Sequence, residues 1–177
     1  LEFADGNASH SLAPQARWEA AHLLEKEDRF DEAAQTYTTL ADRHVNSEQA
    51  SSARFRSGLC RYRSGDVNGA ILSWRELIAA YPASSDGPRG QYWLGRTLWK
   101  QGNVQEARDV LQELSNQHPR NYYGLRASHL LANNGQISGW PRAPSDVHWT
   151  FDILSERQEA REWLSSWAAG YQGQDLE

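Results

Sequence analysis

The stretch SDGPRGQYWLGRTLWKQGNVQEARDVLQELSNQHPRNYYG, Ser85–Gly124, decides the fold. It reads as two antiparallel helices joined by a tight turn at Gln101-Gly102-Asn103, with Pro119 closing the unit. Gly95 lies midway along the first helix, and Ala107 and Leu111 sit four apart on the second. Side chains this small at Gly95 and Ala107 let two helix backbones come close.

Moved back 37 residues, the stretch fits again. Gly95 falls on Gly58, Gly102 on Gly65, Ala107 on Ala70, Leu111 on Trp74 and Pro119 on Pro82. One further step gives Ala21, Asp28, Ala33 and Tyr37, while the proline position becomes Val45, so the first unit lacks that stop signal. Three units in one register with no insertion resemble a tetratricopeptide repeat array, whose usual period is about 34 residues. The expected fold is all-α: a right-handed superhelical array of tetratricopeptide-like helical hairpins, an α-solenoid. The extra residues of each unit are expected in the connections, where Ala83–Pro88 gathers Ser, Asp, Gly and Pro.

In chain order, residues 1–13 read as a flexible N-terminal segment. Hairpins follow at 14–45, 46–82 and 83–119, then an extra helix in 120–134 ended by Asn133-Asn134-Gly135. Pro14 opens the first helix, and Asn46-Ser47 reads as the cap of the third. Residues 135–154 read as a linker containing Trp and Pro, expected to be pinned by Trp140 and Trp149. Residues 155–177 return to helical spacing, with Trp163, Leu164 and Trp167 on one side, before a loose tail.

The net charge of −5 and pI near 5.7 argue against a dedicated nucleic-acid binder. No apolar run approaches the roughly 20 residues of a membrane span, and no signal peptide is visible. The single cysteine, Cys60, excludes an internal disulfide and is expected as a small buried residue. With no methionine and a start at Leu1-Glu2-Phe3, the chain reads as a piece of a longer protein. Phosphate loops, HExxH, CxxC and the G-x-S-x-G elbow are all missing, and the six histidines lack metal spacing. The expectation is therefore a non-catalytic chain without metal or cofactor.

First helices of such hairpins line the inner face of the array, and equivalent positions form ladders 37 residues apart. The ladders are Trp18/Phe55/Tyr92, His22/Leu59/Arg96, Glu25/Tyr62/Trp99 and Lys26/Arg63/Lys100. Candidate binding residues are Trp18, His22, Phe55, Tyr62, Arg63, Tyr92, Arg96, Trp99 and Lys100. Rings beside cations suit a peptide or a glycan strand bearing carboxylates. Two readings stand for the rings, an exposed groove or packing between hairpins, because they share a stripe with the small residues Ala21, Gly58 and Gly95. The cations likewise fit either a ligand or ordinary solvated helix C-termini.

The segment His118-Pro119-Arg120-Asn121-Tyr122-Tyr123-Gly124-Leu125-Arg126-Ala127 resembles the P-x-x-[YF]-Y-G-x-x-A element of soluble lytic murein transglycosylases, and Tyr92–Arg96 resembles their YWLGRA helix. That resemblance covers about Ala50–Leu131. It implies the superhelical region of an enzyme that cleaves peptidoglycan glycan strands, working in the periplasm or outside the cell. The family's catalytic glutamate lies in a Glu-Ser pair, which this sequence lacks, so no catalytic residue carries over. The alternative is an envelope adaptor that binds a protein partner, and a third is a cytoplasmic repeat scaffold.

Overall fold

The structure, a computed structural model, describes residues 10–136. The expected linker tryptophans and the Trp163/Trp167 helix lie outside the described residues. Within them the chain forms seven helices: α1 Ala13–Lys26, α2 Phe30–Arg43, α3 Ala50–Ser64, α4 Val67–Ala80, α5 Gly87–Lys100, α6 Val104–Gln117 and α7 Tyr122–Ala132. Among the described residues there is no strand. Helices α1, α3 and α5 start 37 residues apart, and so do α2, α4 and α6. The fold is an all-α array of helical hairpins.

The period is written in the backbone. At the turn inside each hairpin, Asp28, Gly65 and Gly102 all take positive φ, 58°, 93° and 86°. Glycine adopts that conformation without strain; Asp28 does so against the crowding of its own Cβ. At the far end, His44, Tyr81 and His118 close α2, α4 and α6 with φ near −130° and ψ of 50–58°. Each donates its N–H to the carbonyl four residues back, on Leu40, Leu77 and Leu114. The first hairpin thus stops at the same register with Val45 in place of proline, so the stop belongs to the packing rather than to the imino acid.

The expected cap at Asn46-Ser47 is corrected. Helix α3 starts at Ala50, with Gln49 at the N-cap and no side-chain cap. Ser47 instead sits in a turn, donating its N–H to His44 O, as Ser84 does to Tyr81 O. The connection must deliver Ala50 to the buried position that Ala13 and Gly87 also occupy, which places the helix start beyond the candidate cap.

The core repeats as well. Ala33/Tyr37/Leu40, Ala70/Trp74/Leu77 and Ala107/Leu111/Leu114 are all fully buried stripes of the second helices. Each large residue faces a small one on the preceding helix. A Cβ added to Gly58 would run into the indole of Trp74, and one added to Gly95 would lie 2.6 Å from Leu111 Cγ. Apolar burial of this kind contributes about 1.5–3 kcal/mol per large side chain, and here it is shared between neighbouring helices.

Candidate binding face

The first-helix face is held together by guanidinium–ring contacts between successive repeats. Arg56 of α3 lies 5.6 Å from the Trp18 ring of α1. Arg89 of α5 lies 3.7 Å from the Phe55 ring of α3. Arg126 of α7 lies 4.8 Å from the Tyr92 ring of α5. Every rung of the Trp18/Phe55/Tyr92 ladder is thus covered by an arginine of the next first helix, and Phe55 and Tyr92 are each only 2% exposed. Cation–π pairs that leave so little ring accessible act as packing between hairpins. Trp18 is half-buried and meets Tyr37 edge-on, with centroids 5.3 Å apart.

The next ladder leads to a buried carboxylate. Glu25 accepts from Arg56 Nη1 at 2.8 Å and from the Tyr37 hydroxyl at 3.1 Å. Arg63 Nη1 stands 3.9 Å away and His22 Nδ1 4.0 Å. Burial works against the charge on Arg56, but Glu25, together with Tyr37 and Cys60, more than offsets it and holds the guanidinium more firmly protonated. Burial, reinforced by the Glu25 charge, pushes the Tyr37 hydroxyl up and raises the Cys60 thiol to about 12. Cys60 is accordingly a buried, inert thiol, since the thiolate is the reactive form.

The remaining candidates gather toward the C-terminal ends of the first helices. Tyr62 is half-buried within ring contacts to Trp74 and Trp93, at 6.2 and 6.1 Å. Lys100 is exposed and donates to the Tyr62 hydroxyl at 3.2 Å. Arg63 lies 4.0 Å above the Phe30 ring and 3.5 Å from Asp28. Trp99 is half-buried beneath Arg108, whose guanidinium is 5.0 Å from the ring. Arg96 is buried, its guanidinium 5.1 Å from the Trp93 ring. Tyr62, Arg63 and Lys100 therefore share one end of the face, beside the exposed Lys26.

Ladder reading missed Arg56, Arg89, Arg126 and Trp93. Residues 37 apart are equivalent, but those that touch are out of that register: Phe55 meets Arg89, one turn short of it, and Trp18 meets Arg56, one residue beyond it. Separations of 34 and 38 carry the contacts, and that signal is visible only once adjacent first helices are set side by side.

Among the described residues, no group of His, Cys, Asp and Glu is placed to hold a metal, and no helix is long and apolar enough to cross a membrane. The Pro119–Ala127 element has a local explanation. Asn121 caps α7 by accepting from the Tyr123 N–H at 2.9 Å. A Cβ on Gly124 would lie 2.8 Å from the His118 carbonyl carbon and closer still to its oxygen, so only glycine fits.

Residues 18–85 and 61–121 match the family described as Tetratricopeptide repeat. The type III secretion translocator chaperone SycD of Yersinia enterocolitica is similar in structure, with TM-score 0.58 and 18% identity over 74% of this chain and 96% of that one. Two structures of a Podosopora anserina putative kinesin light chain with nearly identical TPR-like repeats have TM-scores of 0.60 and 0.61 at 16% identity. They cover 95% and 97% of this chain and 81% and 85% of theirs. At such identities the likeness is one of fold. No curated protein matches in sequence. The two overlapping family matches take in residues 18–121, more than half of the chain, and this chain therefore belongs to the tetratricopeptide repeat family.

Proposed function

We propose that the chain is a protein-binding repeat module that receives an acidic stretch of a partner polypeptide at the C-terminal ends of its first helices. The observation that carries this reading is the stacked rung Lys26/Arg63/Lys100, flanked by the half-buried rings of Tyr62 and Trp99, on a chain whose net charge is −5. Charge is sorted by helix. The first helices α1, α3, α5 and α7 carry ten Arg or Lys against two acidic residues; α2, α4 and α6 carry three against seven. Much of the arginine charge is already met internally: Arg54 by Asp42 and Glu76, Arg61 by Asp66, Arg89 by Asp86. The exposed ammonium groups of Lys26 and Lys100 are where an incoming carboxylate would gain most, with the rings beside them taking apolar neighbours. A chaperone among the structural neighbours, and the broad surfaces that stacked hairpins present, favour a polypeptide ligand.

The reading as a repeat region of a peptidoglycan lytic transglycosylase rests on the Pro119–Ala127 element and the Tyr92–Arg96 stretch. The capping and close-approach geometry there accounts for that element without a glycan, and none of the comparisons points to such an enzyme. A place in the cell envelope rests on the same resemblance.

Fluorescence anisotropy with labelled acidic and basic unstructured peptides tests the proposal. Acidic peptides should bind, weaken as salt rises, and lose at least fivefold in affinity in the Lys26→Glu/Lys100→Glu variant. Equal affinity for basic peptides, or tighter binding to single-stranded nucleic acid or to peptide-free glycan strands, would overturn it.

A further inference from the structure

The second and third hairpins of this array bury the outer side of their first helix under the second helix of the hairpin before. On α3 that side is Ala53, Ser57 and Cys60, all 0% exposed. On α5 it is Gly90, Leu94 and Thr97, also buried. The covering contacts are explicit. Ser57 hydrogen-bonds Thr38 of α2 at 2.7 Å, and a Cβ on Gly90 would lie 2.6 Å from Leu77 Cδ2 of α4. The equivalent residues on α1 are Ala16, Ala20 and Leu23. Ala16 and Ala20 are only half-buried, and Leu23 is 58% exposed where Cys60 is sealed. Leu12, three turns back on the same side, is equally exposed.

We propose that this side of α1 is a docking surface for a helical hairpin of a partner protein, stacked ahead of the first repeat. The chemistry of the occupant follows from the internal junctions that continue this surface. Its covering helix carries the small–aromatic–leucine stripe of Ala33/Tyr37/Leu40 and Ala70/Trp74/Leu77. Small residues at Ala16 and Ala20 leave room for the leucine and aromatic side chains, as Ala53 and Gly90 do inside the array. One charge is specified too. In the first junction Arg56 meets Glu25 of the preceding first helix. Glu19 occupies the position equivalent to Arg56, so the docked hairpin presents Lys or Arg where Glu25 stands. Glu19 is exposed and, among the described residues, accepts a local hydrogen bond from Gln15 at 2.6 Å.

The test uses the full chain and a fluorescein-labelled, hydrocarbon-stapled peptide of the α4 sequence Asp66–Tyr81, which covers the equivalent surface of α5. Stapling supplies the helix that a free peptide this short does not hold. Anisotropy should report saturable binding, weakened at least tenfold by Leu23→Glu and by Ala20→Glu. Both positions are at or near the surface, and unchanged far-UV circular dichroism establishes that the variants fold. Leu72→Glu, an exposed position on α4, should leave binding unchanged. Absence of saturable binding would overturn the proposal, as would equal weakening by Leu72→Glu. Sedimentation of the chain alone separates the other occupant: self-association abolished by Leu23→Glu would assign this surface to a second copy and overturn the partner-hairpin reading.

Discussion

Gly58→Ala measures how closely the helices of the second hairpin approach. The added Cβ would sit 2.7 Å from Trp74 Cδ1 and 2.8 Å from Cε2. Ordinary carbon contacts lie at about 3.5–4.0 Å, so the indole must retreat by roughly 1 Å. It has nowhere to go: Trp74 is fully buried, with the Trp93 ring 5.9 Å away and Tyr62 at 6.2 Å. Overpacking of this kind costs about 1–3 kcal/mol. Stretching the 3.3 Å bond from Trp74 Nε1 to the Phe55 carbonyl adds about 0.5–1.5 kcal/mol. Alanine recovers about 1 kcal/mol of helix propensity over glycine. The net loss is about 2 kcal/mol, a fall of about 4–8 °C in melting temperature for a chain of this size. The first repeat supplies the rescue, since Ala21 already packs there with Tyr37 in the place of Trp74. Trp74→Tyr in the Gly58→Ala background recreates that pair. Thermal and urea melts of the double-mutant cycle should then give a favourable coupling of at least about 1 kcal/mol. If Gly58→Ala is neutral or gains the bare propensity term, or if the two changes are additive, close backbone approach is not what the glycine provides.

Four further outcomes follow from the same geometry. Asp28→Gly should stabilise the chain by about 0.5–1 kcal/mol by relieving positive φ, because the contact it loses with Arg63 is a 3.5 Å exposed one. Gly102→Ala, with nothing within 4 Å to clash, should cost about 1 kcal/mol from backbone strain alone; urea midpoints read both. Glu25→Gln strips the charge from the acceptor of Arg56 and Tyr37. It should cost about 2–3 kcal/mol in urea melts, less than the 3–5 kcal/mol of a sealed pair, because the Arg56 and Arg63 side chains are 18% and 20% exposed. His44 has a lowered pKa through burial and the nearby charges of Arg17 and Arg43. The unfolded chain therefore takes up this proton first, and stability should fall as pH drops below about 6.5. His44→Gln should flatten that part of the stability–pH curve, measured by melts between pH 8 and 5.

The repeat, the helix order and the turn positions were legible in the residue string because they depend on neighbours within one hairpin. Gly58 and Gly95 mark close approach, Gly65 and Gly102 mark positive φ, and a 37-residue spacing aligns them. Local chemistry also misled: Asn46-Ser47 looks like a cap, yet α3 waits for Ala50 because the buried edge of the array dictates where it begins. The choice between groove and packing for the aromatic ladder was beyond the string altogether. Trp18, Phe55 and Tyr92 are equivalent by spacing, but whether a ring meets ligand or protein depends on which side chain of the adjacent helix reaches it. Only the stacking angle brings Arg56, Arg89 and Arg126 over them, the first one residue and the other two one turn out of register with the repeat. Periodicity along a chain records what each hairpin is made of. The partner of a side chain is set by the offset between hairpins, and that offset exists only in three dimensions.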